Sequence, residues 1–218
     1  MCHYFRNGRA KKMPKNNRKF VRYSTEYQEK DKKNMMKFEE YLDHFESILN
    51  SKNPEAPYDD PEYFQFAKLN WSRTQRWLKK GVVLPEVAEK IKAINTPQHW
   101  IVITEPWCGD AAQCVPFFQL LAQLNPLISF HIELRDQPPF LIEHYLTNGS
   151  KSIPVLVIRD EQGKDIGVWG PRPQGAKELF YAMKAEDKPF EDIKEALQKW
   201  YNEDAGKQIQ QEIAAIVG

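Results

Sequence analysis

The sequence predicts an α/β fold, and three observations carry that prediction. Short apolar or alternating runs of strand length occur at Trp100–Thr104, Ile128–Leu134, Val155–Ile158 and Ile166–Trp169. Around them, apolar residues recur every three or four positions, the period of a helix with one buried face. Between the first run and a helical pattern beginning near Ala111 lies Trp107-Cys108-Gly109-Asp110-Ala111. A strand that turns directly into a helix places Cys108 at the helix N-terminus, where unpaired N–H groups and the macrodipole favour a thiolate.

Residues 1–35 differ in kind from the rest. They hold eleven Lys or Arg against Glu26, Glu29 and Asp31, a net of +8, whereas the remaining chain carries −7. The block lacks apolar periodicity and is expected to be a disordered basic extension. It reads as an arm for anionic surfaces or, more simply, as a solvated and even non-native extension, which leaves Cys2 and His3 without weight.

Residues 36–97 are expected to form a helical extension. Phe38, Tyr41, Leu42, Phe45, Ile48 and Leu49 define one amphipathic helix. A second starts at Asp60-Pro61, an N-cap followed by proline in the first turn, and runs to Gly81 as C-cap. A third opens at Pro85, with Val87, Ile91 and Ile94 inward. Their aromatic faces read as packing rather than as cofactor contacts.

Residues 98–218 hold the strands. After the Cys108 helix, whose apolar set ends near Leu124, the second strand alternates, with Phe130 and Ile132 on one face. Pro138-Pro139 opens a short helix through Leu141, Ile142 and Tyr145 that stops at Asn148-Gly149. Asp160-Glu161-Gln162-Gly163 joins the last two strands as a hairpin. A helix with Ala176, Leu179, Phe180 and Met183 inward follows Gly170-Pro171-Arg172-Pro173. The final segment, with Phe190, Ile193, Leu197, Trp200, Ile209, Ile213 and Ile216 in helical spacing, predicts one added amphipathic helix, with Gly206 as a point of interruption.

The order strand, Trp-Cys-Gly-x-x, helix resembles the active site of the thioredoxin superfamily. Pro116, eight residues after Cys108, matches that family's helix-kinking proline. Ser152-Ile153-Pro154-Val155-Leu156-Val157 resembles the strand that opens with a cis proline beside the cysteine, and Gly170 falls where the family has a groove glycine. The resemblance covers roughly residues 98–186. It implies a thioredoxin-like three-layer fold with a central mixed sheet, here with the N-terminal helical extension and an extra C-terminal helix.

Two departures are coherent. Ala111 stands where the family has its second, resolving cysteine, and Val102 where thioredoxins usually bury an aspartate that serves it. A single-cysteine C-x-x-A site remains. Cys114 is a poor substitute partner: six helical residues separate it from Cys108 by about 9 Å along the axis and turn it to another face. A disulfide needs Cα atoms within roughly 7 Å. Cys114 is therefore expected to be a buried small hydrophobe beside Ala112, Val115 and Phe118.

Composition narrows the function. The chain has 218 residues, 41% of them hydrophobic and 28% charged, with a net charge of +1, so nucleic acid is not expected as a ligand. Three cysteines make no disulfide framework, and no apolar run approaches the roughly 18 residues of a membrane span. The N-terminus has charge but no apolar core of a secretory signal, so the cytoplasm is the expected location. His3, His44, His99, His131 and His144 show no metal-ligand spacing, and no phosphate or dinucleotide loop occurs, so no metal or cofactor is expected. Thr104 lies one residue too far from Cys108 for the T-x-x-C of peroxiredoxins.

Cys108 is the candidate nucleophile, against the alternative of a cysteine that keeps its place in the fold without a task. Asp110 stabilises the first helical turn, yet its charge opposes the thiolate, and the sequence does not fix which effect is larger. The resemblance implies that Trp107 shields the sulfur, with ordinary packing as the alternative. It also implies that a cis Ile153–Pro154 bond frees the Ile153 backbone to pair with an extended substrate, unless that bond only shapes the turn. Gly170 lines the same groove. Arg172, just ahead of a helix, is a candidate anchor for a substrate carboxylate such as that of glutathione, or a solvated or locally ion-paired arginine. The expected function is thiol–disulfide exchange on mixed disulfides or oxidised protein thiols, the partners being protein or low-molecular-weight thiols. A non-catalytic binding module is the alternative, and a reversible redox sensor a third. A binder has no reason to keep the thiol below the free value of about 8.5.

Overall fold

A computed structural model of the protein describes residues 35–217. The expectations for the basic block before Met35 lie outside the described residues. Helix α1 (Phe38–Asn50) is fixed at its start by Glu40, whose carboxylate accepts from the Lys37 N–H at 2.7 Å, one half of a capping box. Helix α2 (Pro61–Lys80) begins as its sequence predicts, with Asp60 accepting from the Glu62 N–H at 2.7 Å. Its C-cap glycine is needed for close approach rather than for a left-handed turn. Gly81 has φ −62°, but a Cβ there would meet the Trp77 carbonyl oxygen at 2.5 Å. Helix α3 (Pro85–Lys92) ends on Asn125, whose Nδ2 donates to the carbonyls of Ile91 at 2.9 Å and Ile94 at 2.8 Å.

Strands β1 (Gln98–Thr104), β2 (Ile128–Leu134), β3 (Val155–Asp160) and β4 (Asp165–Trp169) form one mixed sheet in the order β2-β1-β3-β4. β1 runs parallel to β2 and antiparallel to β3, and β3 runs antiparallel to β4. Consecutive residues Trp100, Ile101, Val102 and Ile103 are all buried; because successive side chains leave a strand on opposite faces, both faces of β1 are covered by helices. On the outer edge of β2, Met36 makes an isolated antiparallel bridge with Ile132, exchanging hydrogen bonds of 2.9 and 2.8 Å. The extension therefore contributes one extended residue to the sheet as well as its three helices.

Helix α4 (Gly109–Ala122) carries Pro116 inside it and is buried on nearly every side. A short 3-10 helix (Leu141–His144) leads towards β3. The hairpin strands extend beyond their apolar runs because Arg159 and Asp165 satisfy each other at 2.9 Å while both side chains are 4% exposed. Tyr145 completes the cluster, donating to Asp165 at 2.7 Å.

Helices α5 (Gln174–Ala185), α6 (Phe190–Asp204) and α7 (Lys207–Val217) finish the chain. The last two replace a single added helix. Ala205 (φ 51°) and Gly206 (φ 79°) both adopt left-handed backbone between them, and a Cβ on Gly206 would lie 2.2 Å from the Phe117 ring. Gly206 is thus the only residue type that permits both the turn and the approach to α4. Periodicity predicts Trp200 inward on α6; the buried residue is its neighbour Tyr201, in line with Ile193 and Leu197, and Trp200 is half-buried. Buried side chains from Phe38 to Ala214 belong to one continuous core, so the helices before β1 share their apolar faces with the sheet.

Candidate functional site

Cys108 is the N-cap of α4, with extended backbone (φ −80°, ψ 114°). Its N–H donates to the Glu105 carbonyl at 3.0 Å and its carbonyl accepts from the Ala112 N–H at 3.2 Å. The first of these closes the turn and the second starts the helix. The sulfur consequently faces the ladder end of β3, where Sγ donates to the Ile153 carbonyl oxygen at 3.4 Å. The Ile153–Pro154 peptide is cis. Gly170, with φ 130°, lies so close that an added Cβ would sit 2.3 Å from the Pro154 carbonyl oxygen. Cys108, Ile153, Pro154 and Gly170 thus converge from three separate chain segments. Cys108 itself is 3% exposed.

The helical extension roofs one side of this site. Asn70 on α2 donates to the Pro106 carbonyl at 3.1 Å and accepts from Arg73 Nη1 at 3.0 Å. A Cβ on Gly109 would lie 3.5 Å from Arg73 Nη1. Trp107 is packed edge-on against Tyr63 of α2, with centroids 5.8 Å apart, and the Arg135 guanidinium lies 4.6 Å above its ring. Those contacts occupy the indole as a packed side chain, 4% exposed.

Arg172 holds a carboxylate, and that carboxylate is internal. Its Nη2 is 2.6 Å from Asp110 Oδ2, with the two side chains 10% and 11% exposed. Tyr201 on α6 donates to Asp110 Oδ1 at 2.9 Å. Cys114 in turn points its thiol at the Tyr201 hydroxyl, 3.9 Å away. Burial, followed by the charge of Asp110, pushes the Cys114 thiol well above its ordinary value. Neither Cys108 nor Cys114 is in a disulfide.

A second acid lies beneath the turn. Glu105 is 6% exposed, and one carboxyl oxygen accepts from the Asp136 N–H at 3.0 Å. Burial pushes its pKa up to about 7, against the opposing pull of that hydrogen bond. Tyr41 and Tyr58, both buried, face Glu105, and burial together with its charge pushes both phenols up. The Tyr41 hydroxyl also feels Cys108.

Local spacing predicts Cys108 at the helix start, and the resemblance implies Ile153, Pro154 and Gly170 beside it; the structure brings these four together. Glu105, Tyr41, Asn70, Arg73 and Tyr201 escape both the spacing and the resemblance. Glu105 has a usable signal, the lone charge in the apolar stretch Ile101–Cys108. Tyr201 carries helical periodicity, but its hydroxyl partner on another element leaves no trace in local spacing. Among the described residues, no cluster of His, Cys, Asp and Glu is grouped to hold a metal ion.

The mixed four-stranded sheet, with a cysteine capping the helix after its first strand and a cis proline opening the third, defines a thioredoxin-like α/β protein. The family model described as thioredoxin matches residues 58–188, and the chain belongs to the thioredoxin family. Two solved structures are similar to it. One is a protein of unknown function from Pseudomonas aeruginosa, at 17% identity and a TM-score of 0.49. The other is an HIV epitope scaffold, at 18% identity and a TM-score of 0.47. Each alignment covers 84% of this chain and 98% of the other. No curated protein matches the chain.

Proposed function

We propose that the protein is a single-cysteine thiol–disulfide exchange protein whose nucleophile is Cys108. The observation that carries this reading is the placement of Cys108 Sγ at the N-terminus of α4 and 3.4 Å from the Ile153 carbonyl. The helix end favours the thiolate. The thiolate attacks one sulfur of a disulfide R–S–S–R′, and the bonding pair leaves with R′S⁻, which takes a proton from solvent. A mixed disulfide between Cys108 and R remains. An external thiol R″SH, as its thiolate, then attacks the R sulfur, and Cys108 leaves as thiolate. One S–S bond is consumed and one is formed, so R″SH is the reductant and no second cysteine is required. The Ile153 backbone and the Pro154 and Gly170 wall would hold an extended substrate segment beside the sulfur.

Protein or low-molecular-weight disulfides fit this scheme, and the cytoplasm, where Cys108 and Cys114 stay reduced, is the compartment it suits. Among the described residues no helix is long and apolar enough to cross a membrane. The test is the rate at which the full chain, with reduced glutathione, regenerates the thiol of a glutathionylated peptide. The expected result is turnover that Cys108→Ser abolishes and Cys114→Ser retains; equal rates in wild type and Cys108→Ser would remove the reading.

A non-catalytic binding module is the second reading, favoured by the 3% exposure of Cys108 under α2. It predicts partner binding that survives Cys108→Ala.

A further inference from the structure

Asp110 stands two residues after Cys108 in the first turn of α4, where an uncompensated carboxylate would oppose a thiolate. Both of its oxygens are engaged. Arg172 reaches Oδ2 from the loop before α5, and Tyr201 reaches Oδ1 from α6. The Arg172 guanidinium also lies 4.4 Å over the Phe180 ring, which fixes its plane. Tyr201 sits on a helix beyond the last residue matched by the family model, so the device is built partly from chain outside that match. The charged and titratable groups facing this cluster are Arg73 from α2, Cys114 from α4 itself, Arg172 and Tyr201, and Glu212 from α7. Cys108 in its turn faces Tyr41 from α1, beside Glu105.

We propose that Arg172 and Tyr201 are positioning residues for Cys108: they fix and neutralise the Asp110 carboxylate, so that the N-terminus of α4 acts on the thiolate without opposition from Asp110. The inference deepens the exchange reading above and rests on Cys108 being its nucleophile. In this role Arg172 acts through Asp110. The ion pair is buried, so its loss is not made good by solvent, and the Asp110 charge, still faced by Arg73 but without its ion-pair partner, acts in a poorly screened site.

The test is the pH profile of Cys108 alkylation by iodoacetamide in the full chain, followed at the Cys108 peptide by mass spectrometry. Arg172→Met is expected to move the midpoint up by about one pH unit, the lower end of a close like-charge effect. Asp110→Asn is expected to move it down, because Arg172 is then left uncompensated. The double variant Asp110→Asn/Arg172→Met is expected to return to the wild-type midpoint. A folded Arg172→Met whose melting temperature falls while its midpoint stays in place would overturn the proposal, since a merely structural arginine behaves that way. Should Arg172→Met fail to fold, Tyr201→Phe and Asp110→Asn decide it: opposite shifts, up and down, support the assignment, and two unmoved midpoints overturn it. Alkylation needs no disulfide substrate. Absent exchange turnover therefore counts against the functional reading alone, and an unmoved midpoint counts against Arg172 and Tyr201 alone.

Discussion

Replacing Glu105 with Gln should make the protein more stable at pH 8 while leaving it nearly unchanged near pH 4.5. Glu105 is buried under the Cys108 turn, and burial raises its pKa from the ordinary 4.5 to about 7. The folded state therefore binds this proton more tightly than the unfolded chain does. Between those two values the native protein carries more bound protons, so the slope of unfolding free energy against pH is negative. Stability associated with neutral Glu105 is fully present below pH 4.5 and is lost as pH rises to about 7. At about 1.4 kcal/mol per pH unit, the loss across that window is ~3 kcal/mol. Gln keeps the carbonyl acceptor for the Asp136 N–H and never ionises. Asp204, His44 and His144, whose values are also moved by burial, are common to both proteins and cancel in the difference. The assay is urea unfolding of wild type and Glu105→Gln at pH 5 and pH 8, with equal m-values required for the comparison. The gap should widen by ~2–3 kcal/mol in favour of the variant at pH 8. A gap that is the same at both pH values would show that Glu105 is not the buried, proton-binding group described.

Three further substitutions probe the frame around the site. Gly206→Ala should lower stability by about 3 kcal/mol in thermal unfolding, because the left-handed backbone and the Phe117 ring both exclude a methyl group. Asn125→Ala should lower it by about 2 kcal/mol in urea unfolding, since the carbonyls of Ile91 and Ile94 and the Leu127 N–H lose their partner together. Ala111→Cys restores the C-x-x-C spacing, and the oxidised variant should lose two hydrogens in intact mass and its Cys108 alkylation, both recovered with dithiothreitol.

What was legible in the sequence follows physical range. β1 to β4 announced themselves because a buried strand needs an apolar run, and α2 because Asp60-Pro61 satisfies the first turn from within three residues. The Cys108 turn was legible for the same reason: strand, cap and helix are contiguous. Long-range polar pairing was not. Arg172 and Asp110 lie 62 positions apart and Tyr201 and Asp110 lie 91 apart, so no local pattern couples them, and the sequence leaves open whether Arg172 meets a substrate carboxylate or an internal one. The break between α6 and α7 was marked by Gly206, yet the need for it, the Phe117 ring, comes from α4. Met36 pairs with the edge of β2 through a single residue, too short a stretch to show periodicity.

The most direct measurement of the central claim is peptide-level mass spectrometry of the full chain after brief exposure to oxidised glutathione at neutral pH. The account predicts a glutathione adduct on Cys108, formed ahead of any on Cys114 and discharged by added thiol. An adduct confined to Cys114, or none on Cys108 while the protein remains folded, would contradict it.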